Sequence, residues 1–505
     1  MTSAADLKYA HLYNTGHLRT DLRKRSVNGG FWTLGLQAFL VVIGLIRGAI
    51  LARLLTPDDY GLQAMVFAIV SLAVLFKDLG LSTAVIQEEQ ITHQQVSNLF
   101  WLNTVLGILA MCIVAILGPV MDWFYNEPRM TGIALLLSIA YLFGGLAVQP
   151  QALLQRQMKF GRLAVANLTA NIFATIIGII LAYAGYNYWA LIWMQVLTNF
   201  FLMVGFGLQA RWVPSMPRRG SGALKMIKAG SNIASLNVFA TLTKNIDSIL
   251  LGKFCGTVSL GLYSRGLQLH HLIENQLRNS ISSVALPGLS ALQSTRETFK
   301  NYFLRYIAVI AYTTMPLAGC LFFFSSEIIG YYLGARWLAA VPYLEILAIN
   351  AFFSSVIACP AHVPLALGYS RRYLYTGILK GCVRMMGITI GVIGWGAIGA
   401  AYGLLISDFV IWWPYLKLTL IDTNIKISDY VKTLLTPAAI AIVSGLCAKS
   451  ISIMFSYDNL LGFLFIMCLY FSIYLLLYAI ADYYKIGCNL NFIRSLKNKI
   501  YSNKN

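Results

Sequence analysis

Fourteen apolar stretches, each about twenty residues long and so able to cross a bilayer, follow one another from one end of the chain to the other. They fall near 30–53, 60–80, 98–120, 131–150, 163–184, 188–209, 231–252, 260–285, 302–324, 341–366, 374–393, 397–416, 433–453 and 459–482. Between them lie only short connections, none long enough to fold as a domain. Charged residues make up 11% of the sequence, against about 25% in an ordinary soluble domain. The fold class this predicts is an all-α polytopic membrane protein. The first stretch follows the basic run Arg19, Arg23, Lys24 and Arg25, as a secretory signal would, but it is longer than such a signal and carries Arg47 inside it, so it reads as an uncleaved first helix.

Lys and Arg gather in the two tails and in the connections after even-numbered stretches, whereas the opposite side holds Arg53, Arg129, Lys253 and Arg336. Such asymmetry predicts that both termini lie in the cytoplasm. The net charge of +19 is therefore read as topology and attraction to anionic headgroups, not as a nucleic-acid surface. Eight scattered cysteines contain no C-x-x-C pair and read as small apolar residues.

Residues 47–62 and 247–262 align at a constant offset of 200, pairing Leu51 with Leu251, Arg53 with Lys253, Gly61 with Gly261 and Leu62 with Leu262. The sequence phrases Gly80-Leu81-Ser82 and Gly288-Leu289-Ser290 then recur after each pair of stretches. Two six-helix halves of the same orientation form a parallel repeat of the kind that builds transporters around a central interface. The expected organisation is an N-terminal tail (1–29), a first lobe (30–209), a linker (210–230), a second lobe (231–416), two added helices (433–482) and a basic C-terminal tail (483–505).

The run Ile50-Leu51-Ala52-Arg53-Leu54-Leu55-Thr56-Pro57-Asp58-Asp59-Tyr60-Gly61-Leu62 resembles the first-hairpin signature of the polysaccharide exporters of the MOP flippase superfamily. Residues 152–160 (ALLQRQMKF), 261–265 (GLYSR) and 333–337 (LGARW) resemble further phrases of the branch that includes the colanic acid exporter, with Ala335 where relatives more often carry Glu. The resemblance runs over about residues 20 to 420. It implies two six-helix lobes around a central cavity, and a flippase, not an enzyme, in a bacterial inner membrane. The implied substrate is an undecaprenyl-diphosphate-linked oligosaccharide repeat unit, moved from the cytoplasmic to the periplasmic leaflet by alternating access for surface polysaccharide. No cofactor or metal is implied. Membrane lipids, H+ or Na+ as coupling ion, and a polysaccharide polymerase with its export machinery are candidate partners.

A lipid diphosphate needs cations at membrane depth, where ionisable residues mark function. The candidate substrate contacts are Arg47, Lys244, Arg265 and Arg384, since a guanidinium fork suits a diphosphate. Asp247 is the candidate coupling-ion residue, three positions from Lys244 and so on the same helical face, which also admits a structural ion pair. The plainer readings of the arginines are snorkelling of Arg47 and burial of Arg265 or Arg384 against Asp408 or Glu274. Glu274 and Arg278, four apart, read as a helical ion pair, and Lys77 and Asp78 as interfacial anchors.

Enzyme-like patterns have plainer readings. Gly394-Trp395-Gly396-Ala397-Ile398-Gly399 has dinucleotide-loop spacing but separates two apolar stretches, so it predicts a tight turn with close helix packing. His270, His271 and Glu274 lack a fourth ligand at suitable spacing, and Cys359-Pro360-Ala361-His362 reads as a helix kink. A drug or organic-cation antiporter of the same superfamily is the alternative, disfavoured because the mid-span charges lean basic. A glycosyltransferase or polymerase would need a sizeable loop with an acid or base cluster.

Overall fold

The computed structural model describes residues 9–13, 22–73, 80–88, 90–218, 223–421, 423–454 and 459–484, with the side chains of 10, 11, 22–34, 84, 223–238, 275 and 276 excluded. Lys77, Asp78, Cys488, the side chain of Asn237 and most of both tails lie outside the described residues. Among the described residues the chain is helical, with no strand. The helices are α1 (Ala10–Tyr13), α2 (Leu22–Leu54), α3 (Pro57–Val70), α4 (Leu81–Gln87), α5 (His93–Tyr125), α6 (Arg129–Arg156), α7 (Phe160–Tyr183), α8 (Tyr188–Ala210) and α9 (Ala223–His271). After a π-turn at Leu272–Leu277 come α10 (Arg278–Ala291), α11 (Arg296–Phe323), α12 (Ser325–Tyr332), α13 (Val341–Ile357), α14 (His362–Ala366), α15 (Ser370–Leu420), α16 (Ile427–Met454) and α17 (Leu460–Tyr483).

Each apolar stretch falls wholly or partly on helix, and ten helices among the described residues are long and apolar enough to cross a membrane. One of them, α15, has 51 residues and departs from helical geometry at Trp395 and Gly396, where Gly396 takes φ 62°. The chain doubles back there as expected for the glycine-rich phrase. A Cβ on Gly391 would sit 2.0 Å from the Gly399 carbonyl oxygen, and one on Gly403 2.3 Å from that of Gly387. Four glycines thus let two backbones touch, the device that packs helices where the hydrophobic effect does not help. Outward faces carry exposed Ile116, Ile180, Ile390 and Leu475, as a lipid-facing surface requires. The seven described cysteines are free thiols.

The chain divides into two compact units, Met1–Gly261 and Leu262–Asn505. In the first, the short N-terminal segment packs into a core with Leu81, Val85, Val96, Leu153 and Trp212. Arg156, at the end of α6 and 4% exposed, fixes it. Its guanidinium donates to the carbonyls of Tyr13 (3.0 and 3.2 Å), Val85 (2.8 Å), Ile86 (3.4 Å) and Glu88. Gln157 Nε2 donates to the Leu12 carbonyl at 2.8 Å. The Tyr13 hydroxyl lies 2.7 Å from His93 Nδ1 and accepts from Trp212 Nε1 at 2.8 Å. The phrase around Arg156 therefore has a structural meaning: one planar five-donor group satisfies four carbonyls from two segments. An ammonium cannot copy that fork, so Arg156→Lys is expected to cost about 2 kcal/mol and to expose the segment to protease. Unchanged protection in limited proteolysis would show that the segment is held by its apolar contacts alone.

In the second unit, α11, α13 and α16 enclose a core containing Phe303, Ile307, Met315, Val356 and Tyr430. Pro316 inside α11 has no N–H to offer the Tyr312 carbonyl four residues earlier. The Tyr474 hydroxyl of α17 donates to that carbonyl at 3.0 Å, and Tyr470 donates to the Pro316 carbonyl at 2.7 Å. Cys359–Ala361 forms a single 3-10 turn between α13 and α14, the expected kink, with His362 Nδ1 3.0 Å from the Cys359 carbonyl oxygen.

Candidate functional site

The first-hairpin phrase builds a capped helix start. Thr56 is the N-cap of α3, Pro57 follows at its first turn, and Asp59 closes a capping box by accepting from Thr56 N at 2.8 Å and Thr56 Oγ1 at 2.7 Å. Asp58, turned away from the box, accepts from Arg129 at 2.7 Å and from Thr257 Oγ1. Burial raises the Asp58 carboxyl, but the hydrogen bonds from Arg129 and Thr257 and the Arg129 charge outweigh it and hold the group below its ordinary value. The Arg129 hydrogen bond likewise lowers Glu127, 2.7 Å away.

Gly61 and Gly261 occupy equivalent places. A Cβ on Gly61 would lie 1.9 Å from the Thr257 carbonyl oxygen, and a Cβ on Gly261 1.8 Å from that of Pro57. Positions 57 and 257 are themselves related by the offset of 200. The contact is therefore reciprocal, each copy of the repeat pressing its glycine on the other's first-turn carbonyl, as in a two-fold interface.

Arg47 is partly buried on α2, beside open space at Gly44. On α9, Lys244 is exposed and Asp247 is 1% exposed. Among the described residues the two form no ion pair; Asp247 Oδ1 accepts from Ser248 N at 2.7 Å. The helix also sends Asn245 Nδ2 to Ser71 Oγ at 3.1 Å. Arg265 and Arg384 are both partly buried in the second unit.

Around Arg384 that unit assembles a charged network. Asn350 is its bridge, accepting from His270 Nε2 at 2.7 Å through Oδ1 and donating to Asp408 Oδ2 at 3.0 Å. Asp408 Oδ1 lies 3.5 Å from Lys380 Nζ, one helical turn from Arg384 on α15. Glu274 lies 3.7 Å from His270 Nδ1 and 3.9 Å from His271 Nδ1, and Arg278, Arg384 and Lys380 also act electrostatically on it. The helical Glu274–Arg278 ion pair does not form. The π-turn at Leu272–Leu277 widens the helix between them, and Arg278 Nε donates to the Glu274 backbone carbonyl at 3.1 Å. His270, His271 and Glu274 hold their donor atoms within 4.8 Å of one another, three donors where a structural zinc site uses four.

Sequence reasoning named Asp408 as a counter-ion but missed Asn350 and Lys380, which stand on α13 and α15 with no spacing signal linking them to His270. It also missed Tyr13, His93 and Trp212, whose triad joins positions far apart in the chain.

The sequence model of the family described as polysaccharide biosynthesis protein matches residues 50–342, more than half of the chain. The chain belongs to that family. Among curated relatives, the teichuronic acid biosynthesis protein TuaB of Bacillus subtilis is 23% identical, covering 86% of this polysaccharide biosynthesis protein and 90% of that one. The lipopolysaccharide biosynthesis protein WzxC of Escherichia coli is 21% identical, with 77% and 80% covered. Among solved structures, the lipid II flippase MurJ in an inward closed conformation superposes with a TM-score of 0.72 at 14% identity over 90% of this chain and 98% of that one. An inward-facing multidrug resistance transporter of the MATE family reaches a TM-score of 0.54 at 13% identity, with 80% and 99% covered. The fold of this polysaccharide biosynthesis protein is thus that of the MOP superfamily, and it is a multi-pass membrane protein.

Proposed function

We propose that this protein flips a lipid-linked oligosaccharide from the cytoplasmic to the periplasmic leaflet of a bacterial inner membrane, with both termini in the cytoplasm. The observation that carries the reading is the network of the second unit. Among the described groups of that network Arg278, Lys380 and Arg384 outnumber Glu274 and Asp408, leaving excess positive charge. Burying such excess among apolar helices is costly unless an anion meets it. A lipid diphosphate is such an anion, and the family and fold support it. An organic-cation antiporter would call for excess acid instead.

In this reading Arg265 and Arg384 bind diphosphate oxygens, each able to offer two parallel hydrogen bonds, and Arg47 on α2 and Lys244 on α9 are the first unit's candidate substrate contacts. Asp247 is the proposed site for H+ or Na+. Binding lowers the cost of moving the headgroup only if the lipid chain stays in the bilayer, so the protein acts as a transporter and catalyses no bond change. Purified protein in liposomes carrying a fluorescent undecaprenyl-diphosphate oligosaccharide should show protein-dependent loss of protection from an outside reagent. Arg265→Ala and Arg384→Ala are each expected to slow it at least tenfold, with Lys restoring part of the rate. Uptake of cationic dyes with no flipping of the lipid would replace this reading with the antiporter.

A further inference from the structure

The first unit contains a cavity of about 290 Å³ between α3, α6 and α8 that no part of the charged network explains. Its lining includes Phe67, Ser71, Tyr141, Gln195 and Asn199, and among the described residues neither an acid nor a base. We propose that this cavity is a carbohydrate subsite that holds one neutral sugar ring of the transported headgroup. The proposal rests on the flippase reading and specifies which part of the substrate the first unit recognises.

The chemistry of the lining selects the ligand. Gln195 and Asn199 are four residues apart on α8 and so stand on one face. Asn199 spends its Nδ2 on the Gln195 backbone carbonyl at 3.0 Å, which leaves its Oδ1 open. The Gln195 side-chain amide bonds to no described residue. An amide carries two donors and an acceptor with two lone pairs. Left open within a membrane span, it costs free energy until water or a ligand meets it. Vicinal hydroxyls, each a donor and an acceptor, match such a pair of amides. Phe67 and Tyr141 add apolar faces for ring C–H groups. The Tyr141 hydroxyl is occupied by the Val70 carbonyl at 2.8 Å, so its ring is held in place. Ser71 is fixed likewise, donating to the Ala68 carbonyl at 3.0 Å and accepting from Asn245 at 3.1 Å.

Size and charge exclude the alternatives. Sites for drug-sized ligands run about 300–1,000 Å³, and this cavity lies at or below the lower end, room for one ring and not for a chain of them. Among the described lining residues a diphosphate would find no cation, and an organic cation no acid. Preorganised polar groups on rigid helices are what specificity for hydroxyl positions needs, because an unmatched hydroxyl leaves a buried group unpaired.

The test uses Gln195→Met, which keeps side-chain length without the amide, and Asn199→Leu, each reconstituted beside the wild type with the fluorescent undecaprenyl-diphosphate oligosaccharide. Both variants are expected to raise the half-saturating concentration about tenfold with the maximal rate retained. Saturation-transfer NMR with the free oligosaccharide, released from its lipid, should show transfer to the sugar from the wild type and loss of it in Gln195→Met. An unchanged half-saturating concentration, a loss confined to the maximal rate, or equal sugar transfer in variant and wild type overturns the subsite. Failure of the wild type to flip the lipid would instead count against the flippase reading, and the NMR comparison would still decide whether the cavity binds sugar.

Discussion

Gly261→Ala is expected to destabilise the protein by about 3 kcal/mol, at the upper end of the usual cost of overpacking. The added methyl would stand 1.8 Å from the Pro57 carbonyl oxygen and 2.7 Å from its carbon. Both are backbone atoms at the start of a capped helix, so no side chain can swing aside to make room. The helices must separate, which also pulls Thr257 from Asp58. Gly61→Ala should cost a similar amount, because its methyl meets the Thr257 carbonyl in the same way. The reciprocity makes a sharper prediction. Once one methyl has pushed the backbones apart, the second enters space already opened, so the double variant should lose much less than the two single losses added together. Melting of the purified variants in detergent, read by size-exclusion chromatography after heating, checks this. Full additivity would mean that the two glycines respond independently and that the repeat contact is not a single unit.

Asp408→Ala should cost about 3 kcal/mol or more, because it leaves Lys380 and the Asn350 amide in a nearly dry interior without their acceptor. The side chain of Asp408 is 6% exposed and that of Lys380 18%, so water cannot replace the lost carboxylate fully. Replacing both partners, as in Asp408→Leu with Lys380→Met, should recover much of the loss, since a buried ion pair exchanged for apolar groups is often neutral. The same double variant should still transport poorly, having lost a cation of the network. Recovery of stability together with normal transport would confine the pair to a structural role.

Much of the architecture was legible in the chain. Twenty-residue apolar runs admit little besides membrane helices, and Thr56-Pro57-Asp58-Asp59 carries a helix start in its own residue types. The doubling back at Gly394–Gly399 followed from glycine spacing between two spans. The repeat at an offset of 200 was visible as three identities and one basic pair, and the structure gives it a cause: the paired glycines admit no Cβ because each meets a carbonyl of the other copy.

The site was less legible. Charges at membrane depth stand out in sequence because they are rare there, which is why Arg265, Arg384, Glu274 and Asp408 were found. Their partners do not stand out. Asn350 and Lys380 meet His270 and Asp408 only because α9, α13 and α15 come together, and a lone amide or lysine carries no mark of that meeting. The π-turn at Leu272–Leu277 shows the limit from the other side, since a spacing of four promises an ion pair only while the helix keeps its pitch. Hydrophobic length, caps, glycine turns and charge asymmetry are local properties, so sequence alone set the kind of elements and the family they belong to. Which polar groups face one another, and where an amide such as Gln195 is left open, depend on contacts between residues distant in the chain, and only the packed helices decide them.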